Sequence, residues 1–196
     1  MNALALSDRA AGDPAAGDPA AGDPAAAVAN APGAAARIAR AWAALRCVED
    51  PEIPAVSVVD LGVIRFVTTQ SDGSLGVGLS PTYTGCPATE VIQALVERAL
   101  ADADVGAWRV VRVLAPAWSS DWITAEGRRK LAEYGIVPPD HSSSSLRDLR
   151  PGGRPVACPR CHSTHTETVS EFGSTPCKAL LRCRECLEPF EYFKCI

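Results

Sequence analysis

The sequence predicts an α+β protein: a small domain in which a three-stranded sheet is packed by helices, followed by a small ribbon held by metal. Three observations predict it. Periodic segments between Ala34 and Tyr134 read helix–strand–strand–helix–strand–helix, the pattern of a single α+β layer pair. Two knuckles, Cys158-Pro-Arg-Cys161 and Cys183-Arg-Glu-Cys186, stand 21 residues apart in the last forty residues. Between these regions, Pro138 to Pro155 carries Ser142–Ser145 and Gly152-Gly153, the composition of a linker.

The resulting division has four parts. Residues 1–33 form an arm in which Ala-Ala-Gly-Asp-Pro repeats three times in tandem; with nothing bulky to bury, it is expected to be disordered. Residues 34–137 form the α+β domain, 138–156 the linker and 157–196 the ribbon.

Each element has its own signal. Ile38, Trp42, Leu45 and Val48 fall at helical spacing, so Ala34 to Glu49 reads as an amphipathic helix. Pro51 limits its end, because the residue before proline disfavours helix. Asp50-Pro-Glu-Ile-Pro54 is a turn-rich loop. Val63–Thr69 and Leu75–Ser80 read as strands joined at Gln70-Ser-Asp-Gly73, a hairpin whose second strand is half-buried. Pro87 to Asp102 is a helix with Pro87 at its first position, which puts Cys86 at the N-cap. Trp108–Leu114 is the third strand and Thr124–Tyr134 the last helix.

Composition narrows the function. The net charge is −4. Five basic residues balance five acidic ones within Ala157–Ile196, so no electrostatic footprint for nucleic acid exists. No apolar run approaches the roughly eighteen residues of a membrane span. The opening residues lack a secretory pattern. A cytoplasmic protein is expected, and in that reducing compartment cysteines bind metal rather than form disulfides.

Six of the eight cysteines lie in the ribbon. Cys158, Cys161, Cys183 and Cys186 supply four soft ligands, the donor set of a closed structural zinc site; iron or an iron–sulfur cluster is the rival occupant. Cys177 and Cys195 are left over: a redox pair, extra cluster ligands or ribbon core are open, with a core or partner-contact role favoured over chemistry. His162 and His165 follow the first knuckle and are expected to face solvent, and His141 lies in the linker.

In the first domain the candidate is Cys86. Backbone N–H groups at a helix N-terminus favour a thiolate, and Thr82, Thr84 and Gly85 flank it. The rival reading is a small buried cysteine, and Cys47 is expected to be core. The carboxylates Asp50, Glu52 and Asp60 sit on loops, where sites are usually built, though turn-making would explain them equally. No histidine lies near Cys86 in sequence, so a Cys–His enzyme is not expected.

The combination Asp50-Pro-Glu-Ile-Pro54, Val59-Asp-Leu-Gly62 and Thr82-Tyr-Thr-Gly-Cys-Pro87 resembles the SufT-like family of iron–sulfur assembly domains. The knuckles, Ser170-Glu-Phe-Gly-Ser-Thr-Pro-Cys-Lys-Ala179 and Phe190-Glu-Tyr-Phe-Lys-Cys-Ile196 resemble the D-subunit family of the ring-1,2-phenylacetyl-CoA epoxidase system. This resemblance implies a non-enzymatic accessory protein in aerobic phenylacetate catabolism. It would deliver or insert an iron–sulfur cluster or iron into the reductase or oxygenase component. Cys86 would be the iron-handling thiolate, and Asp50, Glu52, Asp60, Thr82 and Thr84 would line the same small site. One thiolate cannot hold a [2Fe–2S] cluster alone, so transient binding across a homodimer or with a partner is implied. The alternative is a structural component of the oxygenase complex that docks through its ribbon, motivated by apolar Phe190, Tyr192, Phe193 and Ile196.

Overall fold

A computed structural model describes residues 33–83, 85–139 and 155–194. The repeat arm, most of the linker, Thr84, His141, Cys195 and Ile196 lie outside the described residues.

The first domain is built on a three-stranded sheet. Helix α1 (Ala34–Leu45) precedes β1 (Ile64–Thr69) and β2 (Leu75–Leu79), which pair antiparallel. Helix α2 (Thr89–Asp102) then carries the chain to β3 (Trp108–Arg112), parallel to β2. The central β2 is buried along its whole length rather than on one face. Its two glycines explain this: a Cβ at Gly78 would stand 2.4 Å from the Phe66 ring, and one at Gly76 would stand 2.3 Å from the Gln70 amide. Side chains of the β1 region thus lie over glycine backbone that a larger residue would push them from.

Helix α1 stops at Leu45, four residues before the predicted end. The reason is tertiary. Val58 N–H donates to the Val48 carbonyl and Asp50 N–H to the Val56 carbonyl, so residues 48–50 pair with 56–58 and cannot continue a helix. Cys47, expected in the core, is exposed. Helix α2 starts at Thr89 rather than Pro87, because the Cys86 carbonyl accepts the Thr89 N–H in a turn that seats Pro87 in its middle.

The Val59-Asp-Leu-Gly62 loop docks the C-terminal helix α3 (Ala125–Glu133). Thr124 caps α3 by accepting the Gly127 N–H at 2.9 Å, and its own N–H donates to the Asp60 carbonyl. Trp118 Nε1 donates to the Leu61 carbonyl at 3.0 Å. Gly62, at φ +67°, lies under Trp122, where a Cβ would meet the Trp122 carbonyl at 2.4 Å. The Arg65 guanidinium lies over the Trp122 indole, 3.2 Å from the ring centre.

The second sheet crosses the predicted boundary between the parts. Its order is β4-β7-β6-β5, from β4 (Ile136–Val137), β5 (Thr166–Ser170), β6 (Lys178–Cys183) and β7 (Pro189–Phe193). Strand β4 belongs to the end of the first domain and runs parallel to β7, with Ile136 opposite Glu191 and Val137 opposite Tyr192. The ribbon's own core is small: Cys158, Ala179, Leu181, Cys183 and Phe190. Phe193 and Cys177 are instead buried in the core of the first domain, with Leu79, Ile92, Val96 and Trp118.

Phe193 is 1% exposed and its ring centre lies 6.0 Å from that of Trp118. Phe193→Ala is therefore expected to cost about 3–5 kcal/mol. The two parts should melt together in wild type and at a lower temperature in the variant; differential scanning calorimetry checks both.

Candidate functional site

Two sites emerge, and they differ in every physical respect. The first is the ribbon's metal centre. The sulfurs of Cys158, Cys161, Cys183 and Cys186 all lie within 4.8 Å of one another, with Cys158 to Cys186 at 3.6 Å and Cys161 to Cys183 at 3.5 Å. A zinc tetrahedron with bonds near 2.3 Å has sulfur edges of about 3.8 Å, so the four thiols already hold metal-site geometry. The N–H of Cys186, and after it that of Glu185, helps pull Cys183 down to about 7 despite its burial, whereas the Ser163 and Glu188 amides are outweighed by burial and the neighbouring thiols, which raise Cys161 and, to about 12, Cys186. His162 and His165 are exposed; His165 Nδ1 meets the exposed Glu185 carboxylate at 2.9 Å, outside the thiol group.

The second site is a cavity of about 20 Å³ in the first domain, lined by Asp50, Glu52, Pro81, Thr82, Cys86 and, from the ribbon, Cys177 and Phe193. This volume suits one water or one ion. The loop residues reach it through local turns. Asp50 Oδ1 accepts the N–H groups of Glu52 (2.8 Å) and Ile53 (3.0 Å), which folds 50–53 back over the core. Gly85, at φ +88°, turns the chain so that the following Cys86 N–H bonds to the Tyr83 carbonyl.

The cavity is hostile to negative charge. Burial raises Asp50 above its ordinary value, against the amides that stabilise its carboxylate. Burial and then the Asp50 charge raise Glu52. Burial raises the Cys177 thiol, although Thr175 Oγ1 lies 3.1 Å from its sulfur. Tyr83 is pushed up to about 12 by burial and by the charges of Cys86 and Glu52. The compensating cation is Lys178, 3% exposed and paired with Glu191 at 3.0 Å; its charge opposes the shifts of Asp50, Glu52 and Cys177.

The structure thus brings together Asp50, Glu52, Thr82 and Cys86 of the expected residues. Thr84 lies outside the described residues. Asp60 does not join them: its carboxylate accepts Lys130 Nζ at 2.7 Å and the Ser57 N–H at 3.3 Å, tying α3 to the loop. Sequence reasoning missed Tyr83, Lys178, Phe193 and above all Cys177 as site residues. The available signal was that Cys177 fits neither knuckle, and only the fold says where it goes.

The chain thus pairs a cavity lined in part by thiols and carboxylates with a four-thiol ribbon. Comparison with known proteins shows the family. The family described as iron–sulfur cluster assembly protein matches residues 38–115, and the PaaD zinc beta ribbon domain matches residues 142–194. The chain is 48% identical over 155 residues to the D subunit of the "Putative 1,2-phenylacetyl-CoA epoxidase" of Escherichia coli (strain K12), spanning 79% of this chain and 91% of that one. The chain belongs to the family of that epoxidase component. It is also 37% identical over 79 residues to the Fe-S protein maturation auxiliary factor YitW of Bacillus subtilis (strain 168), covering 40% of this chain and 76% of that protein. A Bacillus anthracis domain of unknown function, DUF59, aligns with TM-score 0.45 and 27% identity, over 50% of this chain and 92% of its own. Among the described residues no helix is long and apolar enough to cross a membrane.

Two outcomes follow from this geometry. Removing the ribbon metal with a strong chelator should abolish hydrogen-exchange protection in β5, β6 and β7, since such metals contribute on the order of 10 kcal/mol to small modules. Burial pushes Asp60 up, but its bonds to Lys130 and Ser57 outweigh this and hold it below 3.8. A depressed carboxyl stabilises the fold above its unfolded value and loses that contribution as pH falls through the folded one. Asp60→Asn should therefore cost about 1–2 kcal/mol at neutral pH. Denaturation curves of variant and wild type should converge as the pH drops below 3.8.

Proposed function

We propose that this protein is an accessory maturation factor of the phenylacetyl-CoA epoxidase system, which delivers or inserts iron or an iron–sulfur cluster into the reductase or oxygenase component. The observation that carries the reading is Cys86, half-buried at the edge of a cavity whose other polar walls are Asp50, Glu52 and Thr82. A thiol beside carboxylates is a mixed soft and hard donor set, suited to ferrous iron. The names of the related maturation factors support the same direction.

In this reading the metal of the ribbon is zinc and its role is structural. Four protein ligands leave no open coordination position. The cargo binds at the cavity. Cys86 presents its sulfur to it, and Asp50 is aimed by the two amides of its own turn. At about 20 Å³ the cavity accommodates one ion. A [2Fe–2S] cargo would be held at the Cys86 edge, with the remaining ligands from a client or a second copy.

Independent catalysis is not part of this reading: among the described residues no histidine lines the cavity to pair with Cys86. A purely structural component that docks through the ribbon was motivated by Phe190, Tyr192, Phe193 and Ile196, of which Ile196 lies outside the described residues. Phe190 and Phe193 are buried inside the molecule, and Tyr192 is half-buried against the ribbon core.

Co-expression of the reductase with wild type or Cys86→Ser tests the proposal. Iron and sulfide content of the purified reductase should fall several-fold with the variant; unchanged content would sink it.

A further inference from the structure

The first domain also carries an open groove of about 620 Å³, walled by Trp42 and Arg46 on one side and by Arg65 and Trp122 on the other. Ala39 and Ala43, exposed and one turn apart on α1, leave its helical side free of bulk. Both indoles are half-exposed. The backbone is shaped to build this face. Gly62, in the left-handed region, seats Trp122. Arg65 stands where the β1–β2 register shifts between Ile64 and Phe66, and such an irregularity re-aims a side chain. Its guanidinium is thereby laid over the Trp122 ring. The Arg46 guanidinium lies 6.0 Å from the centre of the Trp42 ring.

No acidic side chain lines the groove. Burial lowers Arg65 from its ordinary value, and no carboxylate stands beside it to offset that cost. Among the described residues its hydrogen-bond acceptor is the Gly62 carbonyl, at a long 3.5 Å. Most of its five N–H donors are therefore free for a ligand. Arg98, Arg112, Arg129 and Arg182, by contrast, each pair with an acid. A guanidinium stacked on an indole is held in the plane that grips a carboxylate with two bonds. We propose that this groove docks a client protein through an acidic segment of that client. Its carboxylates bind Arg65 and Arg46, and an apolar side chain between them packs on Trp42 and Trp122. The proposal rests on the reading that this protein serves the reductase or oxygenase component. An open trough suits a segment of chain better than a small molecule, which binding pockets enclose almost wholly. Tryptophan and arginine are the residues that anchor protein interfaces. Nucleic acid is disfavoured, because the chain carries a net charge of −4.

Calorimetric titration of the full chain with purified reductase, and separately with the oxygenase component, tests this. One component should bind, more weakly as salt is raised. Arg65→Glu should weaken it about thirtyfold, the effect of an interface hot spot. Arg46→Glu, on an exposed residue, should weaken it about tenfold without disturbing the fold. Hydrogen exchange on the wild-type complex reads the location with no variant at all, and new protection is expected in α1 and around Trp122. Binding that neither charge reversal weakens, or protection confined to other surfaces, overturns the groove while the proposed function stands. If neither component binds, the groove also fails, and the reductase co-expression separately decides the role of Cys86. Two other occupants would overturn it as well. Shielding of the indoles from a quencher in the free chain, lost on deleting residues 1–32, would give the groove to the chain's own arm. A dimer dispersed by Arg46→Glu in sedimentation would give it to a second copy.

Discussion

The insertion of Phe193 and Cys177 into the core of the N-terminal domain is the contact on which the rest of the organisation depends. A ribbon core of five residues, two of them cysteines bound for metal, is too small to stand on hydrophobic burial. The metal fixes the ribbon's shape, and the shared core and the β4–β7 pairing fix its position. Position is what the cavity needs, because two of its walls come from the ribbon. The two parts are one cooperative structure, unlike beads on a linker.

The same contact explains the electrostatics. Burying Asp50 and Cys177 and half-burying Glu52 disfavours all three charges at once. Groups kept in an environment that costs stability are candidates for a functional role. Lys178 offsets part of the cost and comes from the ribbon as well, next in sequence to Cys177. Asp60 has the opposite signature, a depressed carboxyl paired with Lys130, and it serves the fold.

Much of this was legible in the sequence where the determinants are local. Knuckle spacing identifies the four metal thiols because a Cys-x-x-Cys turn closes within itself. The order of helices and strands followed from periodicity, and the Asp50, Glu52, Thr82 and Cys86 grouping from a family resemblance. What could not be read depends on partners far away along the chain. Helix α1 ends early because Val48 pairs with Val58. Asp60 is taken by Lys130, seventy residues on. Strand β4 is two residues long, below any periodic signal, yet it joins the two parts. In sequence Cys177 reads as ribbon core or a partner contact and Phe193 as part of a docking surface, since nothing local says which core they enter.

Strand β6 has a consequence of its own. It starts one residue after Cys177 and ends at Cys183, a ligand of the ribbon metal. Six residues of paired strand, about 20 Å, thus connect the cavity thiol to the metal centre. A strand bonded on both sides moves as a rod, so whatever stiffens one end stiffens the other. Thermodynamic reciprocity then ties the two ends. If ribbon zinc raises the cavity's affinity for its guest, the guest raises the ribbon's affinity for zinc by the same factor. Loss of the ribbon metal would then be felt at the cavity wall as well as in the ribbon itself.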